Sequence, residues 1–559
     1  MTLPGGYSVE REVALPLGDG VVLRADVYRP DGDGPHPVML MRTPYGKASA
    51  QQDVYAHPGY FARRGAIVVV QDMRGCGTSD GVFEPFRDEA RDGAATVAWC
   101  ATLPGSSGAV FMYGYSYAGC AALLAASERP SGLAGILPAM ASARAGEGWT
   151  LRDGIVRAGF THGWATQLAA LAASRAGDAG AASRITQMRA RGPRPGMFAE
   201  ASESDLATFA PYFRDWLLHQ DDADYWERLT PAAALSDIDV PVLLVAGWHD
   251  EFLRGTLLTY RELAAREAAP PVSLHVGPWC HSPWSRYTGA LDFGPAGEPA
   301  VDELMVDWID TVLDGSVTPT VRYFAMGADE WRDAATWPPA PQGLALALAS
   351  RGRAKGASGD GRLGTAPGGE PDHLWVDPEA PVRMPRGGDD PASLTRWGPI
   401  DHARVTNRRD VLCYTGDALA APLELAGEVR LRAFLTPDCE AGELHATVLD
   451  VHPDGRSYPV SRGVARFTRE GDSAEPLEVV VELDDTCAVL AAGHRIRLVL
   501  SGTSLPAHLP APRRAVGPAA STADDFGPVT HLIHHDAIHP STLELQVVGA
   551  VGSHAGGTA

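Results

Sequence analysis

Nucleophilic attack by a hydroxyl needs a serine exposed on a tight turn, a neutral imidazole to take its proton and a carboxylate to orient that imidazole. Two serines of the chain lie among small residues suited to such a turn. The strict spacing Gly-x-Ser-x-Gly falls at Gly77-Thr78-Ser79-Asp80-Gly81, and a looser version at Gly114-Tyr115-Ser116-Tyr117-Ala118-Gly119. Context favours the second. Ser79 is followed by Val82-Phe83-Glu84-Pro85, whose proline discourages a helix that starts at the serine. Ser116 comes almost directly after the apolar run Val110-Phe111-Met112-Tyr113, and the Ala- and Leu-rich stretch from Ala118 to Ser127 predicts a helix. The N-terminus of that helix would point free N–H groups at a developing oxyanion. Ala118 is small enough to stand in for the second glycine. Taken alone, Ser116 also reads as an ordinary turn serine.

The partners decide between the two readings. Asp250 ends the run Val240 to Trp248, and His281 follows Val272-Ser273-Leu274-His275-Val276 after Gly277-Pro278-Trp279-Cys280. Serine, acid and histidine thus come in the chain order of an α/β-hydrolase, each at the end of a successive strand. Singly, each has a plain alternative: Asp250 as a loop carboxylate, His249 as the base, His281 as one of 18 histidines. The ordered trio favours a working triad of Ser116, Asp250 and His281.

Positioning these groups requires a sheet. His36–Met41 and Gly65–Val70 are continuous apolar runs bounded by Gly and Pro, as expected of strands buried on both faces. With the runs before Ser116, Asp250 and His281 they predict an α/β core, discontinuous over residues 1–145 and 237–340. Residues 146–236 carry helical segments with Trp149, Trp164, Trp216 and Trp226 and no convincing strand, which predicts a helical cap inserted over the carboxyl edge of the sheet. From 341 to 559 the period becomes two, as in Val429, Leu431, Ala433 and Leu435, and predicts a β jelly roll. The Gly-rich stretch Arg351–Gly369 reads as a long loop or hairpin tip. The fold class is therefore α/β: a hydrolase core, a helical cap and a C-terminal jelly roll.

Composition limits the partners. The formal net charge of −22, from 47 basic and 69 acidic residues, opposes binding to phosphate backbones or anionic lipid, so neither nucleic acid nor membrane is expected. No apolar run reaches the roughly 20 residues of a membrane helix. Met1 to Gly6 shows no secretory signal, and seven scattered cysteines without a CxxC pair suit reduced thiols, so a cytoplasmic location is expected. A homodimer is compatible with the sequence, which does not fix the oligomeric state.

The chain resembles the family of serine hydrolases that contains bacterial cocaine esterase and the X-Pro dipeptidyl-peptidases. The resemblance runs from Asp19-Gly20-Val21 to His539-Pro540-Ser541. It rests on Arg42-Thr43-Pro44-Tyr45, Gln71-Asp72-Met73-Arg74-Gly75, Gly114-Tyr115-Ser116-Tyr117, Gly247-Trp248-His249-Asp250, Gly277-Pro278-Trp279-Cys280-His281 and Asp410-Val411-Leu412-Cys413-Tyr414-Thr415. It implies Ser116 as nucleophile, Asp250 as orienting acid and His281 as base, in agreement with the order already read. One oxyanion donor is the backbone N–H after the nucleophile, here Tyr117. The resemblance assigns the second to the hydroxyl of Tyr45, which otherwise reads as a turn residue after Pro44. It also makes Asp72 and Arg74 loop-pinning residues.

The same resemblance bears on the substrate. The branch that cleaves amino-acid esters has an acidic pair two and three positions after the catalytic acid; here those positions are Phe252 and Leu253. The cocaine-esterase branch has phenylalanine at the first of them, lining an apolar acyl pocket, and Trp149 and Trp164 align with its pocket tryptophans. The expectation is a serine carboxylesterase acting on small-molecule esters of small apolar or aromatic acids, with no metal or organic cofactor. The alternatives are an X-Pro dipeptidyl-peptidase, acylase or amidase on the same triad, and a non-catalytic binding protein. His531, His534, His535, Asp536 and His539 cluster near the C-terminus, but the matching part of the family implies no metal there.

Overall fold

The structure is a computed structural model that describes residues 6–548 apart from 268, 340, 386–397, 470, 472–474 and 518. The leader reading at residues 1–5 lies outside the described residues.

Ten strands make the first sheet: β1 (Tyr7–Pro16), β2 (Val22–Pro30), β3 (His36–Thr43), β4 (Ile67–Asp72), β5 (Ser106–Tyr115), β6 (Leu133–Ala139), β7 (Val242–His249), β8 (Val272–Cys280), β9 (Val321–Ala325) and β10 (Glu330–Ala334). Their order across the sheet is β1-β2-β4-β3-β5-β6-β7-β8-β9-β10. The central pairs are parallel and the outer pairs antiparallel. Apolar runs became the middle of the sheet for a simple reason. Helices such as Glu89–Ala101, Tyr117–Ser127 and Leu253–Ala264 cover it, and every residue of β4 is buried. Each wholly buried Val or Leu here, among them Val38, Leu40, Val69 and Val110, contributes about 1.5–3 kcal/mol relative to exposure.

Two details differ from expectation. β6 lies between β5 and β7, so the turn at Ser116 is two strands, not one, from Asp250. β8 also runs on through Gly277-Pro278 to Cys280, because its end pairs with β7 at Cys280 and His249. That pairing brings the chain close at Gly247, where a Cβ would lie 2.3 Å from the Trp279 carbonyl oxygen. The Gly in Gly247-Trp248-His249-Asp250 is thus required by the close approach.

Between β6 and β7 lie the helices Ala158–Arg175, Ala179–Arg191, Pro211–Leu218 and Ala223–Leu229. The expectation of no strand in this insert needs one correction. Leu151–Arg152 and Ile155–Val156 pair as a two-residue hairpin, turned by Asp153 and Gly154, both at positive φ.

The C-terminal region is a 13-stranded β system. Its longest strand, Leu423–Thr436, shows the period-two burial expected of one apolar face. The Arg351–Gly369 stretch is not all loop: Arg362–Gly364 and Gly368–Glu370 add short strands to Gln342–Arg351. The β domain docks on the core through a bridge between Met326 and Ala488 and a hydrogen bond from Trp337 Nε1 to Asp485 (2.8 Å).

Candidate active site

Ser116 sits between β5 and the helix Tyr117–Ser127 at φ 58° and ψ −130°. A non-glycine residue at positive φ is strained, and such strain is stored where the surroundings over-determine the backbone. Here they do. The Ser116 N–H donates to the Ala139 carbonyl (2.9 Å), and the Gln51 side-chain amide bonds the Tyr115 N–H (3.2 Å) and carbonyl (3.0 Å). Small residues make the turn: a Cβ at Gly114 would lie 2.6 Å from that of Ala118, so alanine fits the second small position only because Gly114 is bare.

The Tyr117 side chain is anchored below the turn. Its hydroxyl accepts the Phe86 N–H (2.6 Å) and donates to Glu89 (2.8 Å). Glu89 pairs in turn with Arg42 at 3.6 Å, both side chains being buried. Burial pushes the Glu89 carboxyl above its ordinary value, against the pull of Arg42 and Tyr117. As the first residue of its helix, Tyr117 has a backbone N–H free of any intrahelical partner.

Above the turn stands Tyr45, just past β3. Its hydroxyl accepts Trp164 Nε1 (2.9 Å) from the cap and hydrogen-bonds the Ser116 side chain. Burial raises its pKa to about 12, although both hydrogen bonds act to lower it, so it stays a protonated donor.

Asp250 and His281 meet at the ends of β7 and β8, with His281 Nδ1 2.7 Å from Asp250 Oδ1. The other carboxylate oxygen accepts the Phe252 N–H (3.0 Å). The Asp250 side chain is wholly buried, and burial raises its pKa while His281 pulls it down. For His281, burial works to lower the pKa, but the Asp250 charge and hydrogen bond overcome it and leave the imidazole above 6.5. Tyr115 packs its ring on His281 with centroids 5.3 Å apart. His249, the alternative base, is a different case. Burial lowers its pKa to about 3 and its ring stacks on Phe293.

The strict motif at Ser79 serves structure. Its hydroxyl donates to the Asp72 carbonyl (2.7 Å) and accepts the Arg24 N–H (2.9 Å), in a wholly buried position. Asp72 binds Lys47 (2.8 Å) and the Thr78 N–H (3.0 Å), and Arg74 forks onto Asp92 with two bonds of 2.8 Å.

Trp149, Trp164 and Phe252 come together as the residues around the turn pack. Trp149 lies 4.5 Å from Phe252, 5.3 Å from Trp164 and 5.6 Å from Tyr117, centroid to centroid. A cavity of about 140 Å³ opens where core, cap and β domain meet, bordered by Asp250, His281, Phe160 and Glu251 but not by Trp149, Trp164 or Phe252. Phe252 packs on two of these, Phe160 (4.9 Å) and His281 (5.1 Å). Arg157 sits over the Phe160 and Phe252 rings at 4.9 Å each and binds the Glu251 carboxylate at 3.2 Å. Gln51, Glu89, Arg157 and Phe160 went unnoticed in the sequence. Only the position of Gln51, just after the Arg42-Thr43-Pro44-Tyr45 segment, could have drawn attention to it.

Turn, dyad and sheet order together belong to the serine hydrolases of α/β-hydrolase fold, and that is the class of this chain. Sequence relatives narrow it further. The family model for X-Pro dipeptidyl-peptidase (S15 family) matches residues 19–283, and that for the X-Pro dipeptidyl-peptidase C-terminal non-catalytic domain matches 316–544. Cocaine esterase from Rhodococcus sp. (strain MB1 Bresler) is 30% identical, the match covering 97% of this chain and 99% of that protein. The chain belongs to the serine hydrolase family that includes cocaine esterase. Among solved structures, an aminopeptidase from the marine sediment archaeon Thaumarchaeota archaeon superposes with a TM-score of 0.80 at 21% identity, covering 98% of this chain and 97% of the other. An α-amino acid ester hydrolase gives 0.76 at 22% identity, covering 97% of each. These two likenesses concern the fold. No helix among the described residues is long and apolar enough to cross a membrane.

Proposed function

We propose that the chain is a carboxylesterase for small-molecule esters of uncharged, apolar or aromatic acids. Ser116 Oγ attacks the carbonyl carbon as the His281 imidazole takes its proton. The Tyr45 hydroxyl and the Tyr117 N–H receive the oxyanion. Collapse of the tetrahedral intermediate expels the alcohol, protonated by His281. Water, deprotonated by the same imidazole, then hydrolyses the acyl-enzyme. The observation that carries this reading is the Asp250–His281 bond of 2.7 Å, at the strand ends where the fold requires it.

The acyl preference rests on Arg157 and Phe252. Binding of a free ammonium needs an unengaged carboxylate, and the Glu251 carboxylate is held by Arg157. Phe160, backed by Phe252 at 4.9 Å, gives the cavity one aromatic side. The test is hydrolysis of p-nitrophenyl acetate, butyrate and benzoate at about pH 8, wild type against Ser116→Ala, with Ala-Pro-p-nitroanilide alongside. Ester turnover abolished in the variant supports the proposal. Turnover surviving in it removes Ser116 as nucleophile. Anilide cleavage exceeding ester cleavage gives the site to an X-Pro peptidase.

A further inference from the structure

The C-terminal β domain carries a second cluster of chemically capable side chains. The strand Ala441–Val451 pairs antiparallel with Arg495–Ser501, setting Asp450 opposite Ile496 and Val451 opposite Arg495. One step further along this register sets His452 opposite His494. Alternation along a strand puts Asp450 and His452 on one face, and directly opposed residues share a face, so His494 joins them. The side chains converge accordingly. His494 Nδ1 lies 2.8 Å from Asp450 Oδ1 and 3.0 Å from Oδ2, and His452 Nε2 lies 3.5 Å from Oδ2. The two imidazoles face each other with centroids 4.3 Å apart.

We propose that Asp450, His452 and His494 form a site for a zinc-class divalent cation, with water completing the shell. One ligand atom from each lies within 4.8 Å of the other two. A tetrahedral ion with bonds near 2.0–2.1 Å sets its ligand atoms roughly 3.4 Å apart, so small side-chain rotations close the site. Two imidazoles with one carboxylate is a donor set for zinc or a neighbouring transition ion rather than magnesium or calcium. The three side chains are 16–27% exposed, open enough for a hydrated ion to enter.

The surroundings hold the ligands in place. The Tyr458 ring meets His452 edge-on at 5.3 Å. The turn at His452 is closed by its N–H to the Arg456 carbonyl (2.8 Å) and by the Gly455 N–H to its own carbonyl (2.9 Å). The turn at His494 is held by its N–H to Ala491 (3.1 Å) and by the Leu419 N–H to its carbonyl (2.8 Å). A bound ion would tie these two turns together. The other close group, His534, Asp536 and His539, is already engaged. Asp536 accepts the Ile538 and His539 N–H groups (2.7 and 3.0 Å), and His534 Nε2 meets the Thr436 hydroxyl at 2.8 Å.

The test uses untagged full-length protein stripped with a chelator. Zinc is titrated against a chromophoric chelator, cobalt uptake is followed by its visible absorption, and thermal unfolding is recorded with and without zinc. Uptake of about one ion per chain and a rise in unfolding temperature are expected. His452→Ala and His494→Ala should each weaken binding at least ~10-fold, while His534→Ala leaves it unchanged. His452 sits on a turn, so its variant should fold as wild type, as unfolding without metal will check. No saturable uptake by wild type, or undiminished uptake by folded His452→Ala, overturns the proposal. So does loss of uptake in His534→Ala alone.

Discussion

Replacing Tyr45 by phenylalanine removes one oxygen and leaves the ring. That oxygen has two neighbours, so the change should be felt twice. As the proposed oxyanion donor it would stabilise only the transition state, and losing one such donor costs about 10²–10³ in kcat, or about 2.7–4 kcal/mol, with KM little changed. As the acceptor of Trp164 Nε1 at 2.9 Å it satisfies a donor on a side chain that is almost wholly buried. Stranding that indole N–H costs about 1–3 kcal/mol of stability. Steady-state and pre-steady-state hydrolysis of p-nitrophenyl butyrate measures the first effect, and thermal or urea unfolding the second. Trp164→Phe separates them, since it removes the indole donor and keeps the Tyr45 hydroxyl; it should lower kcat by less than about tenfold. If Tyr45→Phe unfolds earlier yet keeps kcat within about threefold of wild type, Tyr45 is only a partner for Trp164. The oxyanion must then find its second donor elsewhere.

Ser79→Ala should keep full esterase activity while losing about 1–3 kcal/mol of stability, because the Arg24 N–H loses its acceptor and the buried Asp72 carbonyl its donor; urea unfolding and a p-nitrophenyl ester assay read both. His281 must be neutral to act as a base, and Asp250 holds its pKa above 6.5. The acid limb of kcat/KM should therefore rise with pH above 6.5. Asp250→Asn removes the charge, leaves burial to lower the imidazole pKa, and should move that limb to lower pH while kcat falls about 10⁴-fold. Glu89→Gln keeps a partner for the Tyr117 hydroxyl but strips the charge opposite buried Arg42, and should destabilise by about 3–5 kcal/mol in chemical unfolding.

The sequence revealed what local patterns encode. Continuous apolar runs marked β3, β4, β5, β7 and β8, and the acid and histidine stand at the ends of two of them. β6 escaped notice because Gly135 and Pro138 break its run, yet it needs only backbone pairing with β5 and β7. β1, β2, β9 and β10 lie toward the sheet edges, where burial on one side leaves a weaker signal. Trio order and turn chemistry were legible because they depend on spacing within the chain. The bond from Trp164 to Tyr45, the clasp of Gln51 on Tyr115 and the capture of Glu251 by Arg157 were not. Each joins residues 64 to 119 positions apart, and nothing in either residue's neighbourhood announces the other.

The indole bond to Tyr45 also has an evolutionary side. An inserted cap is usually regarded as an exchangeable module that can drift to new substrates while the core keeps the chemistry. Here one cap residue holds a group that the proposed reaction uses, so the two cannot diversify independently. A chimera carrying a relative's cap would have to restore an indole, or another donor, opposite Tyr45 before its turnover recovered. Selection on the first helix of the insert is therefore selection on rate as well as on substrate fit.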